Sequence, residues 1–320
     1  MFRAADAGER GDAGGAESIV IGEIPLFDED PALEAELRRI YGPIVVEYLS
    51  KDACQELSAN WDSLSGQCSL HADLGNGPMV ALGHALPALS IIAGTRILAT
   101  RAGKSLNPRA PFLNRVLACG FRYHAVLPPS SDGPSFSIRT HHRRDWKLGH
   151  FEMTPEEMTA IERAIIEQQT ILISGRTNSG KTSLLNAMLA LVPPQERLLV
   201  IEDEPELEIR PGGNVTRRRA TEAADLKRHI IEALRDRPDR LICGEIRGAE
   251  AADVLEAVAT GHSGASTIHA GSVDEALRRL QRLAKCDREL VCQAINMVIQ
   301  VERMADGRRA ITELKELKLA

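Results

Sequence analysis

The chain has 320 residues, 43% of them hydrophobic, with 39 Lys and Arg against 45 Asp and Glu for a net charge of −6. At roughly 150 residues per domain, that length predicts two domains, each able to bury a core of its own. The charge excludes the global basic field of a sequence-independent nucleic-acid binder. Three tyrosines and two tryptophans offer few platforms for stacking a strand of bases, so no direct nucleic-acid binding is expected.

Residues 1–17 are mostly Ala, Gly, Asp, Glu and Arg; such a segment buries too little apolar surface to order itself and is expected to be a flexible tail. From Ile19 to Ile138 the pattern mixes a charged helix near Pro31 to Ile40, an apolar run at Ile44 to Tyr48 and short extended pieces such as Phe121 to Leu127. This predicts a small α+β domain. The most apolar stretch, Ala85 to Thr100, is interrupted by Pro87, Gly94 and Arg96 and falls short of the roughly 20 apolar residues that cross a bilayer. The first residues lack the apolar core of a secretory signal. The six cysteines, at 54, 68, 119, 243, 286 and 292, form no C-x-x-C pair and read as the reduced thiols of a cytoplasmic protein. Membrane association is therefore expected to be peripheral.

Turn formers from Pro128 to Pro134 and the cationic run Arg139-Thr140-His141-His142-Arg143-Arg144 suit an interdomain connection. The expected boundaries are a tail at 1–17, an α+β domain at 18–130, a linker at 131–149 and a second domain at 150–320. Within that second domain helices are expected at Thr154 to Glu167, Lys181 to Leu191, Ala224 to Leu234 and Glu250 to Thr260. Apolar strands are expected at Thr170 to Ser174, Arg197 to Ile201, Leu241 to Gly244 and Ser266 to His269. Strand and helix alternate, which is βαβ grammar and predicts a parallel sheet.

The strand at Ile171 to Ser174 runs into Gly175-Arg176-Thr177-Asn178-Ser179-Gly180-Lys181-Thr182 and then, from Ser183, into a helix. This is the G-x-x-x-x-G-K-[ST] pattern. Its glycines let the backbone wrap a phosphate chain, its N–H groups point inward, and the helix that follows offers its positive end. Lys181 is placed to neutralise β- and γ-phosphates, and Thr182 to hold Mg²⁺. Alone, the loop fits a kinase, a GTPase or a transporter as well as an ATPase.

Hydrolysis needs carboxylates at strand ends to serve the metal and the attacking water. Leu198-Leu199-Val200-Ile201 runs into Glu202-Asp203-Glu204-Pro205-Glu206, and Leu241-Ile242-Cys243-Gly244 ends in Glu245. Both lie where α/β sheets present their ligands. His269 closes a short strand and is a candidate sensor of the γ-phosphate, whereas His262 suits a turn equally well.

As a set these motifs resemble the type II and type IV secretion (traffic) ATPases, and most closely the TrbB-like conjugal-transfer group. The loop at 175–182 looks like that family's Walker A, and Ile201 to Glu206 like its acidic box. Arg237 to Gly248 is similar to its Walker B region, and Thr260-Gly261-His262 through Thr267-Ile268-His269-Ala270 to its histidine box. Gly120-Phe121-Arg122, Leu127-Pro128-Pro129 and Phe136-Ser137-Ile138-Arg139 look like the end of its N-terminal domain.

The resemblance implies a RecA-like P-loop NTPase domain behind a smaller α+β domain, with ATP and Mg²⁺ bound between them. It also implies a homo-hexamer, peripheral at the cytoplasmic face of the inner membrane, powering a conjugation or type IV secretion apparatus. By position it makes Glu206 the favoured general base with Glu202 and Asp203 close by, Glu245 a partner of Mg²⁺ and water, and His269 the reader of nucleotide state. Arg122 and Arg139 match arginines that reach the phosphates. A pilus-assembly or type II secretion motor, and a nucleotide-gated scaffold with negligible turnover, are the alternatives.

Overall fold

The computed structural model describes residues 31–51, 53–75, 78–117, 120–140, 145–203, 205–209, 213–221 and 225–317. The tail expected at 1–17 and the His-Arg run at 141–144 lie outside these residues.

The N-terminal domain opens with two helices, α1 (Pro31–Tyr41) and α2 (Pro43–Leu49). In α1 the acid Glu34 lies in the first turn and Arg38 in the last, complementing the helix dipole, and the two side chains pair at 2.8 Å. Leu33, Leu37 and Tyr41 share one face and are buried. The apolar run at 44–48 is helical: Gly42 turns the chain at φ 85° and Pro43 presets the first helical residue. There follow β1 (Glu56–Asp62), β2 (Gln67–Asp73), β3 (Val80–Pro87), α3 (Ala88–Arg101), β4 (Phe112–Val116), β5 (Arg122–Val126) and β6 (Ser135–Arg139). The strands make one antiparallel sheet in the order β3-β2-β1-β6-β5-β4. The stretch expected to fall short of a membrane span is the end of β3 and α3; no helix among the described residues is long and apolar enough to cross a bilayer. Tyr41, Tyr123 and Phe136 pack between sheet and helices. Hydroxyl hydrogen bonds of 2.7 Å link Tyr123 with Tyr41 and with Thr95 and satisfy the buried phenols.

The C-terminal domain comprises β7 (Phe151–Glu152), α4 (Pro155–Ile166), β8 (Ile171–Gly175), α5 (Lys181–Leu189), β9 (Leu198–Glu202), β10 (Val215–Arg219), α6 (Leu226–Ala233) and β11 (Arg240–Ile246). It continues with α7 (Glu250–Ala259), β12 (Ser263–His269), α8 (Val273–Ala284), α9 (Arg288–Ala294), β13 (Met297–Arg303) and β14 (Arg309–Glu316). The sheet order is β10-β9-β11-β12-β8-β13-β14-β7. All neighbours are parallel except the β13–β14 hairpin. In β8 and β9 every residue is buried, because helices cover both faces and the strands cannot alternate apolar with polar. The regular elements read from the sequence end at His269; α8, α9, β13 and β14 lie beyond them. The βαβ alternation stops there, and a hairpin closes the sheet instead.

This topology sets the site. The carboxyl ends of β8, β9, β11 and β12 carry Gly175, Glu202, Glu245 and His269 respectively.

Candidate functional site between the two domains

A cavity of about 420 Å³ opens between the domains, within the size range of small-ligand sites. Its floor is the loop joining β8 to α5. Asn178 at φ 63° and Gly180 at φ 102° both turn left-handed there, which curls successive N–H groups inward. Gly175 is needed for close approach: a Cβ on it would lie 2.3 Å from Ser179 Oγ and 2.5 Å from the Val301 carbonyl. Thr177, Asn178, Gly180, Lys181, Thr182 and Ser183 line the cavity. Gly175, Arg176 and Ser179 shape the loop behind them.

Lys181 is buried, and its ammonium donates to the Arg176 carbonyl at 3.0 Å and to His269 Nδ1 at 3.2 Å. Burial lowers its pKa to about 8, with Glu245 and Glu206 opposing that shift. His269 Nε2 lies 2.9 Å from Glu245 Oε1, without forming a hydrogen bond to it. An imidazole that accepts from an ammonium at Nδ1 is neutral. Burial and the Lys181 charge both lower the His269 pKa in agreement. The other Glu245 oxygen takes Arg247 at 2.7 Å, and Arg247 reaches Asp203 at 3.5 Å. The β11–β12 register shifts between Cys243 and Ile246, an irregularity of the kind that re-aims side chains beside sites. Thr267 Oγ1 donates to the Gly244 carbonyl there at 2.8 Å.

The acidic box separates by depth. Glu206 lines the cavity; one of its oxygens accepts from Thr182 Oγ1 at 3.0 Å and the other pairs with Arg122 of the N-terminal domain. Glu202 is buried and does not line the cavity. Its Oε1 accepts the backbone N–H groups of Glu206 and Leu207, each at 2.9 Å, while burial raises its pKa. Asp203 does not line the cavity and pairs with Arg247 instead. Asn186, one turn after Thr182 on α5, donates to the Glu206 carbonyl at 3.3 Å and accepts from Glu208 N–H at 2.9 Å, so α5 and the acidic loop hold each other.

Arg122 and Arg139 are cross-strand partners on β5 and β6, and both line the cavity. His262 sits at the end of α7 with Nδ1 3.2 Å from the Ala257 carbonyl, and it is not among the lining residues. Among the lining residues that are not candidates from the sequence are Gln55, Trp146, Asn186, Arg247 and Arg309. Gln55 Oε1 accepts from Asn178 at 2.8 Å and from Arg303 at 3.3 Å, tying the N-terminal domain to the loop and to β13. Asn186 carries a usable signal in its four-residue spacing from Thr182, and Arg247 in its place within the segment similar to Walker B.

The sequence profile of the family described as Type II/IV secretion system protein matches residues 113–315. This chain belongs to that family. Within it, the chain is 32% identical over 249 residues to "Conjugal transfer protein TrbB" of Rhizobium radiobacter, covering 74% of this chain and 76% of that one. It is 33% identical over 261 residues to "Type IV secretion system protein PtlH" of Bordetella pertussis, covering 66% and 76%. The fold is also that of the Legionella pneumophila ATPase DotB, with a TM-score of 0.62 at 21% identity over 92% of this chain and 81% of that one.

For a secretion-family NTPase the donor set is informative. Thr182, Glu206 and Glu245 present hydroxyl and carboxylate oxygens to one cavity, the hard donors that suit Mg²⁺. No cluster of three metal-binding side chains occurs among the described residues.

Proposed function

We propose that this chain is the ATP-hydrolysing motor of a conjugal-transfer or type IV secretion apparatus, converting ATP and water to ADP and phosphate. The observation that carries this reading is the meeting of three segments at one carboxylate: Glu206 of the acidic box holds Thr182 of the phosphate loop and Arg122 of the other domain. A site made only to bind phosphate has no use for an acid there.

In this reading Lys181 holds the β- and γ-phosphates, and Thr182 with Glu245 holds Mg²⁺, which when bound neutralises developing phosphate charge. Glu206 takes the proton of the attacking water, released for that role once a nucleotide claims Thr182 and Arg122. Glu202 acts through Glu206, fixing its backbone from below. His269 stands between Lys181 and Glu245 and links phosphate contact to the carboxylate. Arg122 and Arg139 offset charge on the leaving phosphates. We propose an N-terminal domain that runs through Arg139 rather than ending at 130, because β6 (Ser135–Arg139) lies between β1 and β5 in its sheet, then a linker to 149 and the ATPase domain at 150–320. The working form is a homo-hexamer held peripherally by inner-membrane components of the apparatus.

Lys181→Ala is expected to lower Mg²⁺-dependent phosphate release by roughly a hundredfold or more. Full activity in that variant would sink the proposal. Light scattering with Mg²⁺ and ATP should find six copies; a monomer at every nucleotide concentration would overturn the ring.

A further inference from the structure

The cavity lining is mostly polar and charged. Around the phosphate loop the lining is charged, whereas Trp146 is the largest apolar surface among the described lining residues. The phosphate loop binds a triphosphate and does nothing for the flat, apolar base attached to it. Trp146 is braced from behind: Phe151 packs at 5.7 Å between ring centroids and His150 meets the indole edge-on at 5.9 Å. Over the ring lies the Arg309 guanidinium, its carbon 4.7 Å from the centroid.

Arg309 reaches the indole across Gly180. A Cβ on Gly180 would fall 2.4 Å from Arg309 Cδ and 2.6 Å from its Nε. The indole is therefore one side chain away from the phosphate loop, and the side chain between them is already stacked on it. Cation–π contact at a partly exposed ring is weak and exchangeable. A base offers a larger flat surface.

We propose that Trp146 is the stacking platform for the base of a nucleoside triphosphate, and that Arg309 is its cover, displaced when the base arrives. This deepens the ATPase reading and rests on it. Stacking reads ring area and not the hydrogen-bonding edge. The site should therefore take purine nucleotides as a class, hold pyrimidine nucleotides less well, and gain nothing at this end from inorganic triphosphate.

The test uses the full chain carrying Trp61→Phe, which leaves Trp146 as its only indole. ATP and GTP, each with Mg²⁺, are expected to change Trp146 emission to a similar extent, CTP less, and inorganic tripolyphosphate not at all. In the otherwise unaltered chain, Trp146→Ala should raise KM for ATP about tenfold with kcat and tripolyphosphate inhibition unchanged, and Trp146→Phe should recover most of that loss. Emission that ATP leaves unmoved, or that tripolyphosphate moves as strongly, overturns the platform. So does an equal loss of ATP and tripolyphosphate affinity in Trp146→Ala, which would make the indole a support for the loop. If Trp146→Ala fails to fold, the emission experiment decides alone. Hydrolysis that needs Lys181 while emission stays silent defeats the platform and leaves the ATPase reading intact. A base-dependent emission change without hydrolysis does the reverse.

Discussion

Glu202 and Glu206 stand four positions apart in a run of acids, and only family likeness favours Glu206 of the two. Depth separates them, since Glu202 is buried as a backbone acceptor and Glu206 faces the cavity. A glutamine can accept an N–H bond but cannot take a proton from water. Glu206→Gln is therefore expected to lower kcat by about 10² to 10⁴ while ATP still binds. Glu202→Gln, which keeps the acceptor, should retain most activity, and Glu202→Ala should lose both activity and roughly 1–3 kcal/mol of stability. Comparable kcat losses in the two glutamine variants would show that the roles are not divided this way. Lys181 gives the pH dependence. Its pKa in the free protein is about 8, below the ordinary value, and a bound triphosphate favours the charged form. Binding must then take up a proton once pH exceeds 8. KM for ATP should rise with pH above 8, by up to roughly tenfold per unit; a flat KM between pH 7 and 10 would contradict the assignment.

At the level of elements, the most legible segments are those with two concordant signals. Helix α4 has a capping Thr154 that accepts from Glu157 N–H at 3.2 Å, Glu157 reaching back to Thr154 N–H at 2.8 Å, and Pro155 at its first turn. Thr154→Ala is expected to lower stability by about 1 kcal/mol in denaturant unfolding. Strand β8 is legible because an apolar run meets the phosphate loop. Helix α8 is less so, although Ser272 caps it and accepts from Glu275 N–H at 3.2 Å. Charged residues at 274, 275, 278, 279 and 282 interleave with its apolar ones, and only a narrow stripe through Val273, Ala276, Leu277 and Leu280 is buried. Strand β10, Val-Thr-Arg-Arg-Arg, has no fully buried residue. It is fixed by the edge of β9, a neighbour that local pattern does not reveal.

The two domains together make what neither contains. Gln55, Arg122, Arg139, Trp146 and Arg309 converge on one cavity from distant parts of the chain. Family likeness marked Arg122 and Arg139 before their surroundings were known, but Gln55, Trp146 and Arg309 acquire meaning only from packing. Gln55 is the direct side-chain tie between the N-terminal domain and the phosphate loop. Gln55→Ala is expected to leave the circular dichroism of the chain unchanged while raising the rate of limited proteolysis between the domains. An unaltered cleavage rate would mean that this contact does not govern their association.

The place of β8 in the sheet has a consequence for how the protein is made. Its two neighbours, β12 and β13, are both synthesised long after the phosphate loop has left the ribosome. A chain interrupted before Ser263 therefore holds the whole phosphate loop on a strand with no partner on either side, and its unpaired backbone cannot fix the loop. Competence arrives late and all at once. In the proposed ring, an unfinished subunit would be screened out by its own topology, unable to compete for nucleotide or to occupy a place among complete ones.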